Sequence, residues 1–477
     1  MKRREFLKTF VLSGAAVGVS TILKAENSSQ KPNIVLLLAD DLGWTGGKCF
    51  GSKFYETPNL DRLATQGMYF DFGYANMMHC APSRASIMSG QYTPRHKVMY
   101  VSNFQKKWKA KNGDLKRFKL LQPEKNVGVP FETATIAETL KKAGYTTAMF
   151  GKWHLGYNKS QHPSKRGFDE AIVSSGRHWN FETNPPVEHD PKQYLSDFLG
   201  DKAISFMERS HADGKPFFLY LPDFLVHGPF ETKKEYLDHF TAKEKSEHHK
   251  SPIAGAMIKS LDDTVGRVLK KLDELGIAKN TLVIFTSDNG GLAYQEDGQK
   301  LENTSNWPAK LAKGSEFDGG LRVPYIFRWP GRIPAGTLCK EPITGVDLYP
   351  TLLNVAGAKR PDQPLDGADL GPVLRNPKAR LNERDIFWYL PLYSYFSRPC
   401  VVIRRGDWKL IHLLESGEYE LYHTGNDIGE KNNVVAENSA LAKEMNSRVL
   451  KWLEDTNAPR MLPNPEYDPE WNTKKKK

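Results

Sequence analysis

Four apolar runs predict strands that are buried on both faces of a sheet. Each run is continuously apolar rather than alternating, which is typical of parallel strands that helices cover on both sides. The runs are "NIVLLLA" (Asn33–Ala39), "YTTAMF" (Tyr145–Phe150), "FFLYLP" (Phe217–Pro222) and "TLVIFT" (Thr281–Thr286).

Helical patterns separate these runs. Thr135 and Glu138 have the spacing of a capping box, and Gly144 is placed to end the helix that they begin. Between the last two runs, apolar residues recur at helical spacing from Ile258 to Leu272. The alternation predicts an α/β fold with a mostly parallel central sheet and helices on both faces.

The sequence pattern changes from alternating strands and helices to shorter elements after about residue 370. Short β-like pieces, "PCVVIRRGDWKLIHL" and "EYELYH", precede a polar helix near Asn438–Leu453. We therefore predict an α/β domain over residues 26–370. A smaller α+β subdomain with an antiparallel sheet and a basic tail follows over residues 371–477.

The first 25 residues resemble an export signal. A basic start at residues 2–4 precedes an apolar stretch, Phe10–Leu23, and Ala25 is a candidate cleavage point. The twin arginines favour a Tat-type signal read by export machinery, and the stretch is short for the alternative, a membrane anchor. No other stretch approaches membrane length, so we expect a soluble mature protein, periplasmic or secreted, with no stable membrane span.

The formal net charge of +11 overstates the charge of the mature protein. The predicted signal and the four lysines that end the chain each contribute +4, which leaves +3 for the rest. So small a positive charge is not that of a nucleic-acid-binding protein. We therefore expect no nucleic-acid partner.

The chain has four cysteines, too few for the disulfide framework of a small exported domain. A single bridge among Cys49, Cys339 and Cys400 remains an open alternative. The fourth cysteine, Cys80, is a candidate functional residue because of the residues that follow it.

Cys80 is predicted to lie at the start of a short helix. Pro82 suits a first helical turn, and Gly90 can end the helix. The start of a helix favours negative charge, and Arg84, four residues after Cys80, faces the same side. The helix therefore presents Cys80 toward an anion or a metal, unless Cys80 is simply a small buried hydrophobe.

Charged and metal-ligating residues follow all four predicted strands. Ligands bind beyond the carboxyl ends of the strands in open α/β sheets, so these residues predict one shared site. In chain order they are Asp40 and Asp41, Lys152 and His154, His227, and Asp288 and Asn289.

The oxygen donors among these residues suit a hard cation. Asp40, Asp41, Asp288 and Asn289 offer three carboxylates and an amide oxygen, which favours Ca²⁺ or Mg²⁺ over Zn²⁺. Two imidazoles and a lysine could protonate a leaving group and hold an anion. The alternative is that the acidic groups cap turns and the histidines are structural.

Together the motifs resemble those of the type I sulfatases of the alkaline phosphatase superfamily, including bacterial secreted polysaccharide sulfatases. "CAPSRAS" followed by "MSG" matches the C-x-P-S-R signature of that family. The other motifs fall in the family's order over residues 31–435. They are "ADDLG", "GKWHLG", "SDNGG", "KGSEFDGGLRVP" (Lys313–Pro324), "VDLYPTLL" and "RRGDWKLI".

The resemblance implies a modified nucleophile and a metal. A formylglycine-generating or anaerobic sulfatase-maturating enzyme would oxidise Cys80 to formylglycine, whose hydrate attacks sulfur with one hydroxyl and expels sulfate with the other. Asp40, Asp41, Asp288 and Asn289, together with residue 80, would hold one metal ion, Ca²⁺ rather than Mg²⁺.

The resemblance also implies roles for the remaining polar residues. Arg84 would orient the formylglycine. His154 would take the proton as sulfate is expelled, and His227 would act as the general acid to the leaving oxygen. Lys152 and Lys313 would bind sulfate oxygens.

Three departures from the family pattern affect only residues around the site. "WTGG" follows "DDLG" where an Asp is frequent, Gly228 stands where Thr is common, and Asp318 stands where Glu is usual. None of them removes a predicted ligand or catalytic group.

The implied substrate is a sulfated carbohydrate, a polysaccharide or its oligosaccharides. Tyr100–Pro130 contains a basic, aromatic insertion that could bind a sulfated polysaccharide or could be a solvated surface loop. Gly176–Pro186 and Trp388–Phe396 contain aromatic residues that could stack on sugars or simply pack. Two alternatives remain: a phosphomonoester or phosphonate hydrolase on the same fold, and a catalytically silent protein that binds sulfated glycans.

Overall fold

The strands of the protein divide between a large central sheet and smaller sheets. The computed structural model describes residues 31–174, 176–293, 304–394 and 396–471, so the predicted signal at residues 1–25 lies outside the described residues. The strands are β1 Asn33–Ala39, β2 Met68–Phe70, β3 Gly73–Tyr74, β4 Leu120–Leu121, β5 Thr146–Gly151, β6 Glu170–Ser174, β7 Thr183–Asn184, β8 Phe217–Pro222, β9 Thr281–Ser287, β10 Tyr325–Arg328, β11 Thr337–Cys339, β12 Ile343–Thr344, β13 Asp385–Leu390, β14 Cys400–Arg405, β15 Trp408–Leu413, β16 Tyr419–His423 and β17 Leu462–Pro463.

The α-helices connect and cover the strands. They are α1 Pro58–Thr65, α2 Cys80–Ser89, α3 Thr93–His96, α4 Phe104–Asn112, α5 Ile136–Lys142, α6 Leu195–Ala212, α7 Lys234–Ala242, α8 Pro252–Glu274, α9 Asp318–Leu321, α10 Leu348–Ala356, α11 Gly371–Arg375 and α12 Ser439–Asp455. Short 3₁₀ helices cover Lys48–Phe50, Lys159–Gln161, Pro163–Lys165, Ala278–Asn280 and Gly345–Asp347. Within the described ranges, no helix combines the length and the apolar composition that crossing a bilayer requires.

The central sheet is mixed but mostly parallel, as predicted. In the described part of the chain its strand order is β11-β2-β10-β9-β1-β8-β5-β6-β7. The strands from β9 to β6 run parallel to one another. β10 is antiparallel to both of its neighbours, and β7 is antiparallel to β6. The carboxyl ends of β1, β5, β8 and β9 therefore meet at one edge.

The predicted local elements match the structure closely. β1 and β8 have the predicted bounds, β9 extends one residue further, and β5 is shifted by one residue. The capping box at α5 is formed: Glu138 N donates to Thr135 Oγ1 at 3.2 Å, and Thr135 N donates to Glu138 Oε2 at 2.7 Å. Gly144 follows α5 with a φ of +90°, which glycine adopts without strain.

Side chains of β1 alternate between two separate cores. Val35 and Leu37 belong to one core, together with apolar residues of α6 and α8. Ile34 and Leu36 belong to the other, together with apolar residues of α2, α5 and α10. Because helices bury both faces of the strand, its apolar run is continuous.

A second, antiparallel sheet lies near the C-terminus, as predicted. Its order is β13-β14-β15-β16 in the described residues. Val402 and Leu410 of this sheet share one core with Met445 and Val449 of α12. The domain boundary between residues 370 and 371 stays a prediction.

The disulfide that the sequence left open is not formed. Cys49, Cys80, Cys339 and Cys400 are all free thiols. Cys339 lies in the central sheet and Cys400 in the C-terminal sheet, and burial raises the pKa of both thiols.

A buried ion cluster joins the C-terminal sheet to α9. Lys409 Nζ of β15 lies 2.8 Å from Asp318 Oδ1 and 2.7 Å from Glu430 Oε1, and all three side chains are buried. Burial, together with the Asp318 carboxylate, raises the pKa of Glu430 to about 7. Lys409 therefore chiefly balances the charge of Asp318, one of the three departures from the family pattern.

We expect Lys409→Met to lower the free energy of unfolding by about 3–5 kcal/mol, because it removes the ion-pair partner of the buried Asp318 carboxylate. Denaturant unfolding followed by circular dichroism measures the change. Lys451→Met is the control, because Lys451 forms an exposed pair with Asp455 and should contribute little. Equal stability of K409M and the wild type would contradict the expectation.

Candidate active site

Backbone hydrogen bonds tie together the loops that follow the parallel strands. Asp40 N donates to Leu225 O at 2.8 Å, just beyond β8. Asp288 N donates to Ala39 O at 3.2 Å, and Lys152 N donates to Pro222 O at 2.8 Å. The side chains that follow β1, β5, β8 and β9 are thus held at a common edge.

Three buried carboxylates form the centre of the site. Asp40, Asp41 and Asp288 each place an oxygen within 4.8 Å of the others, and all three are fully buried. Asp40, Cys80 and His227 form a second group of potential ligands within the same distance. So many acidic groups cannot remain buried together without positive charge.

Each carboxylate has its own cation. Arg84 Nε donates to Asp288 Oδ2 at 2.8 Å. Lys313 Nζ donates to Asp41 Oδ1 at 2.6 Å, and Lys152 Nζ donates to Asp40 Oδ2. The predicted anion-binding lysines thus lie in the predicted metal cluster.

The cations control the ionisation of the cluster. Burial alone would raise the pKa of Asp40, but Lys152 and His227 lower it further than burial raises it. Lys313 has the same effect on Asp41, whose pKa is also lowered. Burial and the Asp40 carboxylate raise the pKa of Asp288 to about 6.

The donor set fits a divalent cation. Asn289 Nδ2 donates to Asp41 Oδ1 at 2.7 Å and to Gly290 O at 2.9 Å, which leaves the amide oxygen of Asn289 as an acceptor. Within the described residues, Asn289 Oδ1 and Asp40 Oδ1 are buried without a hydrogen-bond partner. Unpaired buried oxygens beside three carboxylates suit a hard ion such as Ca²⁺.

Cys80 is the first residue of α2, as predicted. Gly90 ends the helix with a φ of +68°. Cys80 Sγ lies 3.6 Å from Lys313 Nζ. Burial raises the pKa of the Cys80 thiol even though Lys152 and Lys313 oppose the shift. An unmodified Cys80 is therefore a poor source of thiolate in this site.

Arg84 ties α2 to the loop after β5. Its side chain lies one turn beyond Cys80 and is fully buried. Arg84 Nη1 donates to Lys152 O at 2.6 Å, while the other side of the guanidinium binds Asp288. These contacts fix the position of the guanidinium one helical turn after residue 80.

The two predicted histidines differ in environment. Burial, with Lys152 and Arg84, lowers the pKa of His154 to about 3, so its imidazole is neutral. His227 is one-third exposed. Its Nδ1 donates to Gly228 O at 2.7 Å, and its Nε2 lies 3.9 Å from Asp41 Oδ2. Both rings adjoin the cluster.

Two residues near the cluster were missed by sequence reasoning. His79 precedes Cys80, and burial, together with Lys313, lowers its pKa to about 4. Asn306 accepts from Gly291 N at 2.9 Å and donates to Gly291 O at 3.0 Å. Lys313 N donates to the same carbonyl, so Asn306 supports the loop that positions Lys313. Only adjacency to Cys80 could have indicated His79, and no local pattern marks Asn306.

Two family models cover most of the chain. A model described as Sulfatase matches residues 32–358. A model described as N-sulphoglucosamine sulphohydrolase, C-terminal, matches residues 311–457. The first spans the residues of the cluster, and the second spans the C-terminal sheet.

Known proteins match over nearly the whole chain. A Sulfatase of Formosa agariphila is 33% identical to this chain over an alignment that covers 91% of each chain. N-acetylgalactosamine-6-sulfatase of Mus musculus is 33% identical over 86% of this chain and 78% of its own. The solved structure of Ps i-CgsB in complex with k-i-k-neocarrahexaose is 30% identical, with a TM-score of 0.76 over 91% of this chain and 96% of its own. The family predicted from the motifs is confirmed: this chain belongs to the sulfatase family of sulfuric ester hydrolases.

Proposed function

We propose that this sulfatase removes sulfate from a sulfated carbohydrate, a polysaccharide or its oligosaccharides. The observation that carries the proposal is the position of Cys80, at the start of α2 and 3.6 Å from the Lys313 ammonium, beside three buried carboxylates. The names of the relatives support a saccharide, because they refer to N-acetylgalactosamine 6-sulfate chemistry and to a neocarrahexaose complex.

We propose that Cys80 is converted to formylglycine and that Asp40, Asp41, Asp288 and Asn289, with residue 80, hold Ca²⁺. When present, these two groups supply a hydroxyl nucleophile and a fixed positive charge beside it. The chain's own residues supply binding, orientation and proton transfer.

Two lysines beside residue 80 would bind the ester sulfate. Lys152 and Lys313 are close enough to influence the Cys80 thiol electrostatically, and Lys313 is in direct contact with it. Fixed ammonium groups stabilise negative charge as it grows on sulfate oxygens, because they need no reorganisation during the reaction. Arg84, fixed by Asp288 and Lys152 O, would orient residue 80.

His227 and His154 would each carry out one of the two proton transfers of the reaction. A sugar alkoxide is a poor leaving group, so a general acid at the ester oxygen lowers the barrier. His227 is exposed enough to reach substrate, and its Nε2 is the ring atom that faces the cluster. His154 is neutral at ordinary pH and can accept a proton as sulfate is expelled.

Maturation of residue 80 would precede folding. Cys80 is 2% exposed, and every residue of α2 is buried, so a maturation enzyme could not reach the thiol in the folded chain. We propose that a formylglycine-forming enzyme acts on the unfolded "CAPSRAS" segment. The Tat-type signal would then export the folded protein to the periplasm or beyond.

We expect Cys80→Ala to abolish sulfate release while leaving the unfolding midpoint nearly unchanged, because a small buried side chain is replaced by a smaller one. Released sulfate is measured by ion chromatography after incubation with sulfated oligosaccharides. Cys49→Ala is the control and should retain activity, because Cys49 lies outside the cluster.

Sulfate release that persists in C80A would contradict the proposal. Faster hydrolysis of 4-nitrophenyl phosphate than of 4-nitrophenyl sulfate by the wild type would instead favour the phosphomonoester or phosphonate alternative.

We expect Ca²⁺ to raise the melting temperature of metal-stripped protein, because the carboxylate and amide oxygens that would bind it are brought together in the folded state only. Differential scanning calorimetry with and without Ca²⁺ measures the shift. Asp41→Asn should remove most of it. Asp262→Asn is the control: this buried carboxylate accepts from Leu60 N, away from the cluster, so its loss should lower stability but keep the Ca²⁺ response. An unchanged shift in D41N would contradict the site.

We expect His227→Gln to reduce kcat for a sugar sulfate by about 10²–10⁴-fold, the range for loss of a general acid. The loss should be much smaller for 4-nitrophenyl sulfate, because nitrophenolate leaves without protonation. Steady-state kinetics on both substrates measure the difference. Equal losses on the two esters would contradict the general-acid role.

A further inference from the structure

We infer that a cavity beside the cluster is a subsite for a neutral sugar unit, next to the sugar that carries the scissile sulfate. The inference rests on the proposed function, because it assumes a carbohydrate chain in the active site. The cavity has a volume of about 440 Å³, within the usual range of ligand sites.

The cavity adjoins the loop that carries Lys313. Ser394, on the cavity wall, donates through Oγ to Gly314 O at 3.2 Å. A methyl group on Gly314 would lie 3.7 Å from Phe396 Cδ2, on the same wall, and 3.8 Å from His79 Nε2. The wall therefore contacts Gly314, the residue next to Lys313, and lies near His79, the residue that precedes Cys80.

The charges that line the cavity are balanced. Arg398 Nη2 lies 3.1 Å from Glu316 Oε1 and 2.9 Å from Glu420 Oε1. Lys310 Nζ lies 3.7 Å from the centre of the Phe317 ring and supplies the second positive charge. Two cations and two carboxylates give no net attraction for a second sulfate. A neutral ligand fits this balance better than a polyanion.

The charged groups that line the cavity are suited to hydrogen bonding with sugar hydroxyls. Glu316 is 1% exposed, and among the described residues its Oε2 has no hydrogen-bond partner. An unmet buried acceptor is costly, and a sugar hydroxyl is a donor that would satisfy it. The Arg398 guanidinium beside it offers donors to the oxygen lone pairs of the same ligand.

Aromatic rings complete the lining. Phe396 and Tyr422 border the cavity, and Tyr422 OH donates to Glu420 Oε2 at 3.1 Å. Aromatic faces suit the apolar face of a pyranose ring, while the carboxylates and the guanidinium suit its hydroxyl edge. Phe396 belongs to the segment Trp388–Phe396, which sequence analysis singled out for sugar stacking.

Two variants test the subsite. Glu316→Gln replaces the unmet acceptor with an amide of the same shape, and Phe396→Ala removes an aromatic face. The oligosaccharide probes have a neutral sugar next to the sulfated one: a κ-neocarrageenan hexasaccharide and a keratan tetrasaccharide sulfated only on galactose O6. The one that the wild type hydrolyses is used, together with 4-nitrophenyl sulfate, which has no neighbouring sugar.

We expect kcat/KM for the oligosaccharide to fall about tenfold in each variant, the effect of losing one charged hydrogen bond or one stacking contact. The value for 4-nitrophenyl sulfate should stay within about twofold, because that ester does not reach the cavity. Glu341→Gln is the matched control: Glu341 is similarly buried and pairs with Arg380 at another cavity, so both values should stay at wild-type level.

Two results would overturn the subsite: unchanged kinetics in both variants, or equal losses on the oligosaccharide and the aryl ester, which indicate a merely structural role. Failure of the proposed function looks different. In that case the wild type itself releases no sulfate from either oligosaccharide, and the subsite falls with it.

Discussion

The pairing of buried charges at the carboxyl ends of the parallel strands is the constraint on which the rest of the site depends. Asp40, Asp41 and Asp288 are fully buried, and each contacts a lysine or an arginine. A buried charge without a partner costs several kcal/mol, so every member of the cluster must be positioned accurately. Arg84 connects α2 to Asp288, and Lys313 contacts Asp41 through its ammonium group and Gly291 O through its backbone N–H.

The same segment that brings Lys313 to the cluster also anchors the C-terminal sheet. Asp318 lies five residues after Lys313 and binds Lys409 of β15. Residues 313–318 thus contribute both to the ion cluster of Asp318, Lys409 and Glu430 and to the cavity wall beside Gly314. The C-terminal sheet is thus attached where it can contribute to substrate binding, and not only to stability.

Much of the site could be predicted because it depends on strands whose pattern is unambiguous. β1 and β8 are buried at every position, since helices cover both of their faces, and parallel strands bring Asp40 and Asp288 to one edge. The antiparallel direction of β10 could not be predicted, because the residues of a four-residue strand do not indicate whether it runs parallel or antiparallel to its neighbours. Nor could the pairing of Lys152 with Asp40 be predicted, since the two residues are far apart in the chain and several carboxylates compete for the same lysine.

The mass of the peptide that contains residue 80, from active protein purified from its source organism, tests the central claim most directly. Burial raises the pKa of an unmodified Cys80 thiol, so the account requires a different nucleophile at that position. It predicts the mass of formylglycine, with an aldehyde in place of the thiol. An unmodified cysteine in protein that releases sulfate would contradict it.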